Sequence, residues 1–382
     1  MPLFTNKISA APWDEWVNRV IIHVPHYLSY TGDLTAGGRQ RQVRDLAVLI
    51  KETWGREVLI VQKASKGFEK YDPNGIHVIG IKARLDVFGD PLYGYRACKL
   101  IAKGDAYLSI GQEDAWPFFV LNSKGMHTGV WWDGPHPRWK QNFNAIRTLA
   151  MITAYRSMWC VDTNIINWIR SQGHRGYALA KKCIYTPNCV DLNSIQSTFT
   201  RTRPNIPLRI LFARRYEKKR GGELFLDALL LLKKRGVPFY ATLSTALGQA
   251  GEDEVHGHIK ARGLKDCVNI VSHNMNNIFS EYQNADIAVI PTLWSEGTSY
   301  SCVEAIASGL PVIVTPVGGL ANLVVPGFNG LIPPPTPTAF ADAIYSLTDP
   351  HVWLKLHNNC LSMQDSLSKK TWDKKVIDWL KS

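Results

Sequence analysis

Residues 285–315 read ADIAVIPTLWSEGTSYSCVEAIASGLPVIVT, and the reading of this stretch decides the fold. Its first eight residues (285–292) form an apolar run without alternation, which predicts a strand buried on both faces of a parallel sheet. EAIASG then reads as a short helix stopped by Gly309, and PVIVT (311–315) as the next strand. Residues 295–305 therefore form the loop and first helical turn between two parallel strands. In open α/β sheets that crevice, at the carboxyl ends of the strands, is where ligands bind. Here Glu296 and Glu304 bracket Gly297, Thr298, Ser299, Tyr300 and Ser301. The N–H groups of a helix start would suit an anion such as phosphate. Two plainer readings stay open on these residues alone. Ser301-x-x-Glu304 also fits a capping box, and Glu296 could be a solvated loop carboxylate.

The βαβ pattern extends in both directions. RILFARR (209–215) predicts a strand, YEKKRGG a loop dense in cations, and ELFLDALLLLKKRG (223–236) a helix ended by Gly236. PFYATLS and VNIVS (268–272) predict further strands. Near the start, RVIIHVP (19–25) and EVLIVQ (57–62) predict strands flanking a helix with Val43, Leu46, Ala47 and Ile50 on one face. Gly37 and Gly38 fall at the strand-to-helix turn, where the backbone can approach a ligand closely. HVIGI (77–81) and AYLSIG (106–111) predict two more strands, and a short one is expected around 159–162. Residues 192–206 are polar and proline-containing, as a linker would be. Two domains follow: 1–191, and after that linker 207–365, with a final helical stretch at 366–382.

A chain of 382 residues has room for two such cores. Its composition, 45% hydrophobic and 20% charged, is that of a globular protein. No run approaches the roughly 18–20 apolar residues that span a bilayer, and the N-terminus lacks the apolar core of a signal peptide. Seven cysteines without a paired or zinc-type spacing suggest reduced thiols and a cytoplasmic setting. The net charge of +12 is concentrated in residues 1–200, where 24 lysines and arginines face 16 acidic residues. Nine of the thirteen tryptophans also lie there. That combination admits peripheral association with an anionic membrane, although most tryptophans are expected in the core. A nucleic-acid partner would rest on charge alone and is not expected. Nothing in the sequence specifies an oligomeric state.

Taken together, NADIAVIPTLWSEGTSYSCVEAIASGLPVIVTPVGGLANLVVPGFNGLI resembles the signature of the retaining nucleotide-sugar glycosyltransferases of the GT-B fold, glycosyltransferase family 4. The family's E-x(7)-E element falls on Glu296 and Glu304, and its G-x-P-V-x-x-T-x-x-G-G continuation on residues 309–319. Where the family usually has Gly-Phe-Gly, this chain has Gly297-Thr298-Ser299. The resemblance covers nearly the whole chain, most specifically in 205–335 and diffusely in 1–150. It implies an α/β fold of two Rossmann-like domains facing a central cleft, with the last helix crossing back to the first domain. It further implies that Glu304 holds the donor ribose, Glu296 the donor sugar, and the Gly37-Gly38 loop faces acceptor and donor phosphate. An Arg and a Lys five positions apart reach the diphosphate in the family. Two registers fit, Arg214 with Lys219 or Arg215 with Arg220. The second is preferred, because Arg220-Gly221 then fills the family's Lys-Gly step. The family's strand ending in His-Gly aligns on Asp133, with His136 three residues on, and either could orient the sugar or the acceptor.

The implied activity is transfer of a sugar from a UDP- or GDP-linked donor to a saccharide or lipid-linked acceptor, with retention of configuration. The chain contains no Asp-x-Asp, so no metal site is expected, and no cofactor besides the donor itself. Another GT-B enzyme, such as a nucleotide-sugar epimerase or a phosphorylase, and a non-catalytic nucleotide-sugar-binding protein are the rival readings.

Overall fold

The computed structural model describes residues 13–34, 37–83, 91–110, 123–129, 138–195, 201–244, 249–271, 278–294 and 296–382. The chain divides into two compact α/β units, Met1–Thr186 with Asp373–Ser382, and Pro187–Trp372. Compared with the boundaries expected from sequence, residues 187–206 belong to the second unit rather than to the first unit and a linker. The reason is local bonding: Val190 N–H donates to the Leu367 carbonyl at 3.0 Å, and the Asn188 side chain to the Thr298 carbonyl at 2.8 Å.

In the first unit the strands are β1 (Arg19–His23), β2 (Glu57–Ala64), β3 (Phe68–Tyr71), β4 (His77–Lys82), β5 (Asp105–Ile110), β6 (Lys124–His127), β7 (Ser157–Cys160) and β8 (Cys183–Tyr185). They form one sheet in the order β3-β4-β2-β1-β5-β6-β7-β8. All pairs are parallel except β3 with β4. The middle residues of the central strands, Val20–Ile22 and Val58–Val61, are apolar on both faces, as in a sheet covered on both sides. One polar residue of these strands is His23, the last of β1. It is buried between the Tyr107 hydroxyl at Nδ1 (2.5 Å) and the Tyr93 hydroxyl at Nε2 (2.8 Å). Burial, with Lys63 nearby, brings its pKa down to about 3, so the ring is neutral.

Helix Lys369–Lys381 starts in the second unit and ends in the first. Its docking there turns on Lys124, a fully buried lysine of β6. The Lys124 ammonium donates to the Trp379 carbonyl at 2.7 Å and lies 5.5 Å from the ring centres of both Trp13 and Trp379. A cation is thus placed at the negative end of the helix, between two electron-rich faces. Burial still lowers its pKa to about 7. Trp379 Nε1 completes the joint by donating to the Ser157 hydroxyl at 2.9 Å.

The second unit contains β9 (Leu208–Phe212), β10 (Phe239–Ser244), β11 (Val268–Val271), β12 (Ile287–Ile290), β13 (Val312–Val314) and β14 (Gly330–Leu331). They form an all-parallel sheet ordered β11-β10-β9-β12-β13-β14. Residues alternate along each strand: Leu208, Ile210 and Phe212 join the core on one face, and Leu211 joins that on the other. Fully buried Asp286 fixes the entry into β9. It accepts from Arg201 (2.9 Å), Asn205 (2.7 Å) and the Arg209 backbone N–H (2.7 Å). Among the described residues no helix is long and apolar enough to cross a membrane.

Two outcomes are expected. Replacing Asp286 with Ala leaves the Arg209 N–H and the Asn205 amide without this acceptor, while Arg201 keeps the Ala285 and Gln283 carbonyls, so denaturant unfolding should show a loss of about 1–3 kcal/mol; a loss within ordinary surface scatter would mean the network is dispensable. The second concerns acid. An unfolded histidine takes up a proton near pH 6.5, whereas His23 resists until about pH 3. The folded state therefore binds fewer protons across that window. Its stability is complete above pH 6.5 and falls with pH, by about 1.4 kcal/mol per unit for one such group. Unfolding of His23→Gln between pH 6 and pH 4 should show a slope shallower by one proton than the wild type, and identical slopes would contradict the neutral buried ring.

Candidate active site

In the second sheet the chain begins at β9 and steps to β10 and β11 on one side, then crosses to β12 on the other. The strand order reverses between β9 and β12, and the helices leaving these two strands diverge, opening a crevice at their carboxyl ends. Arg214 lies two residues beyond β9, and Glu296 six beyond β12.

These two side chains meet there, and a third joins them. Arg214 Nη2 and Arg220 Nη1 both donate to Glu296 Oε2. Arg214 Nη1 donates to the Thr292 hydroxyl at 2.5 Å, and Thr292 Oγ1 lies 3.3 Å from the same Glu296 oxygen. Among the described residues nothing bonds to Glu296 Oε1. Arg214 is only 7% exposed, and Arg215 is 62% exposed. This opposition is what extended backbone produces, since successive side chains point to opposite sides. Arg215 and Lys219 instead pair with Glu217, at 3.2 and 3.0 Å. A 3-10 turn, Lys218–Arg220, then brings Arg220 inward. The inward pair, Arg214 and Arg220, therefore takes one member from each register considered from sequence. The preferred pair, Arg215 with Arg220, is not the one the fold brings together. Burial lowers the Arg220 pKa from its ordinary value, against the attraction of Glu296. Two guanidiniums and one carboxylate leave an excess positive charge in this half-buried crevice.

Glycines hold the loops around this cluster. Gly221 has φ 75°, and a Cβ there would stand 1.9 Å from the Pro291 carbonyl oxygen. Beside it, Leu293 N–H donates to the Lys219 carbonyl at 3.0 Å, so the loops after β9 and β12 are joined backbone to backbone. Gly318 has φ 56°, and its Cβ would lie 1.8 Å from the Glu296 carbonyl oxygen. Gly319 N–H donates to that same oxygen at 3.0 Å. A side chain at Gly318 would displace the backbone of Glu296 itself, and one at Gly319 would press on the Gly297 carbonyl oxygen at 2.5 Å.

Helix Tyr300–Ala307 begins beside the cluster, with Ser299 at its N-cap. The capping box read from Ser301 and Glu304 is not formed. Ser301 donates to the Ala213 carbonyl at 2.6 Å, and buried Glu304 accepts from the Tyr282 hydroxyl at 2.9 Å. Both residues thus tie the helix to its neighbours, and Gly297 and Thr298 link it to Glu296.

In the first unit, Gly37 is the N-cap residue of helix Gly38–Trp54, as the strand-to-helix turn implied. Asp133 and His136 lie outside the described residues. A different histidine ends a strand: His127, the last residue of β6. It is buried; Gly129 N–H approaches its Nδ1 at 3.3 Å, and its Nε2 has no partner among the described residues. Burial, with Arg39 nearby, lowers its pKa to about 3. The sequence signal was available in Met126-His127-Thr128-Gly129, but a four-residue strand beginning with a lysine has no apolar run to reveal it. Among the described residues no three of His, Cys, Asp and Glu are grouped as metal ligands would be.

Residues 197–360 match the family described as glycosyl transferases group 1. D-inositol 3-phosphate glycosyltransferase of Paenarthrobacter aurescens (strain TC1) is 31% identical over 177 residues, which is 43% of this chain and 42% of that protein. The aligned part thus spans about two fifths of that curated relative's length. Among solved structures, sucrose-phosphate synthase from Thermosynechococcus elongatus superimposes with a TM-score of 0.72 at 16% identity, covering 94% of this chain and 97% of that one. Anabaena HepE in complex with UDP gives a TM-score of 0.71 at 15% identity, over 95% and 99% of the two chains. The chain accordingly has the GT-B fold of two parallel-sheet domains, and its residues 197–360 match the glycosyl transferases group 1.

Proposed function

We propose that this chain transfers a sugar from a UDP- or GDP-linked donor to a hydroxyl of a saccharide or lipid-linked saccharide, with retention of configuration. The observation that carries the reading is the convergence of Arg214 and Arg220 on one oxygen of Glu296, at the strand-order reversal and beside the start of helix Tyr300–Ala307. When the bond from the sugar's anomeric carbon to the diphosphate breaks, negative charge develops on the leaving oxygen. Preorganised guanidiniums with a net positive excess stabilise that charge without reorganising. Each guanidinium has N–H groups beyond those used on Glu296, and its planar fork suits a phosphate. Glu296 keeps both arginines in place through Oε2 and offers Oε1 to a donor hydroxyl. Glu304 is the group proposed for the ribose hydroxyls. For retention, the new bond forms on the face the diphosphate leaves, and a departing phosphate oxygen takes the acceptor proton. No resident metal enters this scheme, because the arginines and helix N–H groups supply the positive charge. The role that the resemblance gives to a strand-end histidine falls in this reading to His127, a neutral imidazole. The named activity of the Paenarthrobacter relative supports the reaction class, and the UDP held by Anabaena HepE supports the donor class.

The test is a set of variants assayed for transfer from a panel of nucleotide-sugars in excess chelator, with nucleoside diphosphate affinity measured alongside. Arg214→Ala and Arg220→Ala should each lose on the order of 2–4 kcal/mol of transition-state stabilisation. Arg215→Ala and Lys219→Ala should stay within about 1 kcal/mol, as exposed charges do. Glu304→Ala should weaken the free nucleoside diphosphate by on the order of 1.5–3 kcal/mol. His127→Asn should lower kcat and leave that affinity unchanged. Equal, small effects at all four cationic positions, or activity that vanishes with the chelator, would refute this account of the leaving group. Tight nucleotide binding without turnover on any acceptor would instead mark a binding protein.

A further inference from the structure

The amino ends of β9 and β10 carry a second concave surface, away from the cluster just described. It encloses about 270 Å³ and is lined on the sheet side by Arg209, Tyr240 and Thr242, and on its other wall by Glu281, Asn284 and Ala285. Arg209 and Tyr240 are direct partners in the β9–β10 register, so their side chains emerge together from one face of the sheet. Arg214 lies five residues further along the chain, about 16 Å away at the rise of a strand. Two features distinguish this surface from an ordinary solvated face. First, Tyr240 leaves 57% of its area in solvent although its strand, β10, is paired on both sides, with β11 and β9. Among the described residues no side chain bonds to those of Arg209, Tyr240, Thr242 or Asn284. Second, the floor is held from beneath. Arg209 N–H donates to Asp286 at 2.7 Å, and Arg201 clamps the Ala285 carbonyl at 2.8 Å. The pocket is therefore preformed, which removes part of the ordering penalty of binding.

We propose that this pocket is a binding subsite for a neutral saccharide, separate from the donor site. The lining chooses among ligand classes. Arg209 and Glu281 bring opposite charges to one small space, so a phosphate would meet the carboxylate and a lysine side chain would meet the guanidinium. A neutral polyol uses both, since each hydroxyl can donate to Glu281 and accept from Arg209. Asn284 and Thr242 add a donor and acceptor each, at fixed positions. The exposed ring of Tyr240 offers a flat apolar surface for the C–H face of a pyranose, with its hydroxyl at the wet edge. At 270 Å³ the space lies just below the range of drug-sized pockets and suits one sugar ring, its neighbour leaving toward solvent. Such a subsite would hold a growing or polymeric saccharide on the enzyme between transfers. The binding itself stands on the pocket's own lining; only that use of it rests on the reaction proposed above.

The test titrates the full chain with cellobiose, maltose and lactose, and with inorganic phosphate, by saturation-transfer NMR and calorimetry, while UDP affinity is followed in parallel. At least one disaccharide is expected to saturate and phosphate to show no binding. Tyr240→Ala should weaken that disaccharide about tenfold or more, Asn284→Ala should weaken it measurably, and Tyr240→Phe should retain most of the affinity, all with UDP affinity unchanged. Should Tyr240→Ala also disturb UDP binding, Asn284→Ala and Thr242→Ala decide by the same criterion. The proposal fails if no disaccharide binds up to its solubility limit. It fails equally if binding survives Tyr240→Ala and Asn284→Ala, which would place the sugar at the acceptor site, or if phosphate binds and the sugars do not displace it.

Discussion

Two guanidinium groups within hydrogen-bonding reach of one carboxylate oxygen repel each other, and in a half-buried crevice that repulsion is only weakly screened. Glu296 is what makes the approach of Arg214 to Arg220 tolerable, and the surrounding chain is arranged so that Glu296 cannot move away. Its backbone is gripped by Gly318 and Gly319, and the arginine loop is joined to the strand before it through Gly221, Pro291 and Leu293. Thr315 donates to the Thr292 carbonyl, and Thr292 in turn receives Arg214. The local field that would receive an anion therefore follows from backbone packing as much as from the charged side chains. Removing Glu296 would leave two guanidiniums repelling each other, whereas removing either arginine leaves a neutral pair, so the carboxylate is the member on which folding and ligand binding both depend.

The same logic of satisfied burial recurs at a distance from the crevice. Asp286 collects the donors of the segment entering β9, and Lys124 supplies a cation to the end of the last helix. His23 stays uncharged between two tyrosine hydroxyls. In each case a polar group deep in an apolar layer has partners on different elements, so it orders those elements relative to one another. Apolar packing alone would leave such registers less sharply defined.

The fold was legible because parallel sheets covered on both faces write themselves as apolar runs. Residues 285–292, 57–62 and 19–25 each gave a strand close to the one observed. What escaped was structure with no such run. β3 is a half-exposed edge strand, FEKY, and β6 is KGMH, whose burial depends on a lysine finding a carbonyl more than 250 residues away in sequence. With no apolar run to mark β6, the resemblance places the family's strand end on Asp133, whereas a strand of the structure ends at His127. The choice of cationic pair was likewise beyond spacing. Five- and six-residue separations differ only by where the 3-10 turn at Lys218–Arg220 begins, and that is set by Gly221 fitting against Pro291. The Ser301 and Glu304 pair shows the converse: a local motif was present, and tertiary partners took both side chains.

The glycine contacts divide this crevice into parts that differ in how freely they can be altered. At Gly221, Gly318 and Gly319 the neighbouring atoms are main-chain carbonyls, which no rotamer change can clear. At 297–299 the chain carries Gly-Thr-Ser, and Thr298 and Ser299 are buried. Under the function proposed above, a library seeking a new sugar preference would vary side chains at 298–300 and hold the three glycines and the two inward arginines fixed. In that reading the scaffold would separate a rigid anion cradle from side chains beside it that can change without rebuilding its charge arrangement.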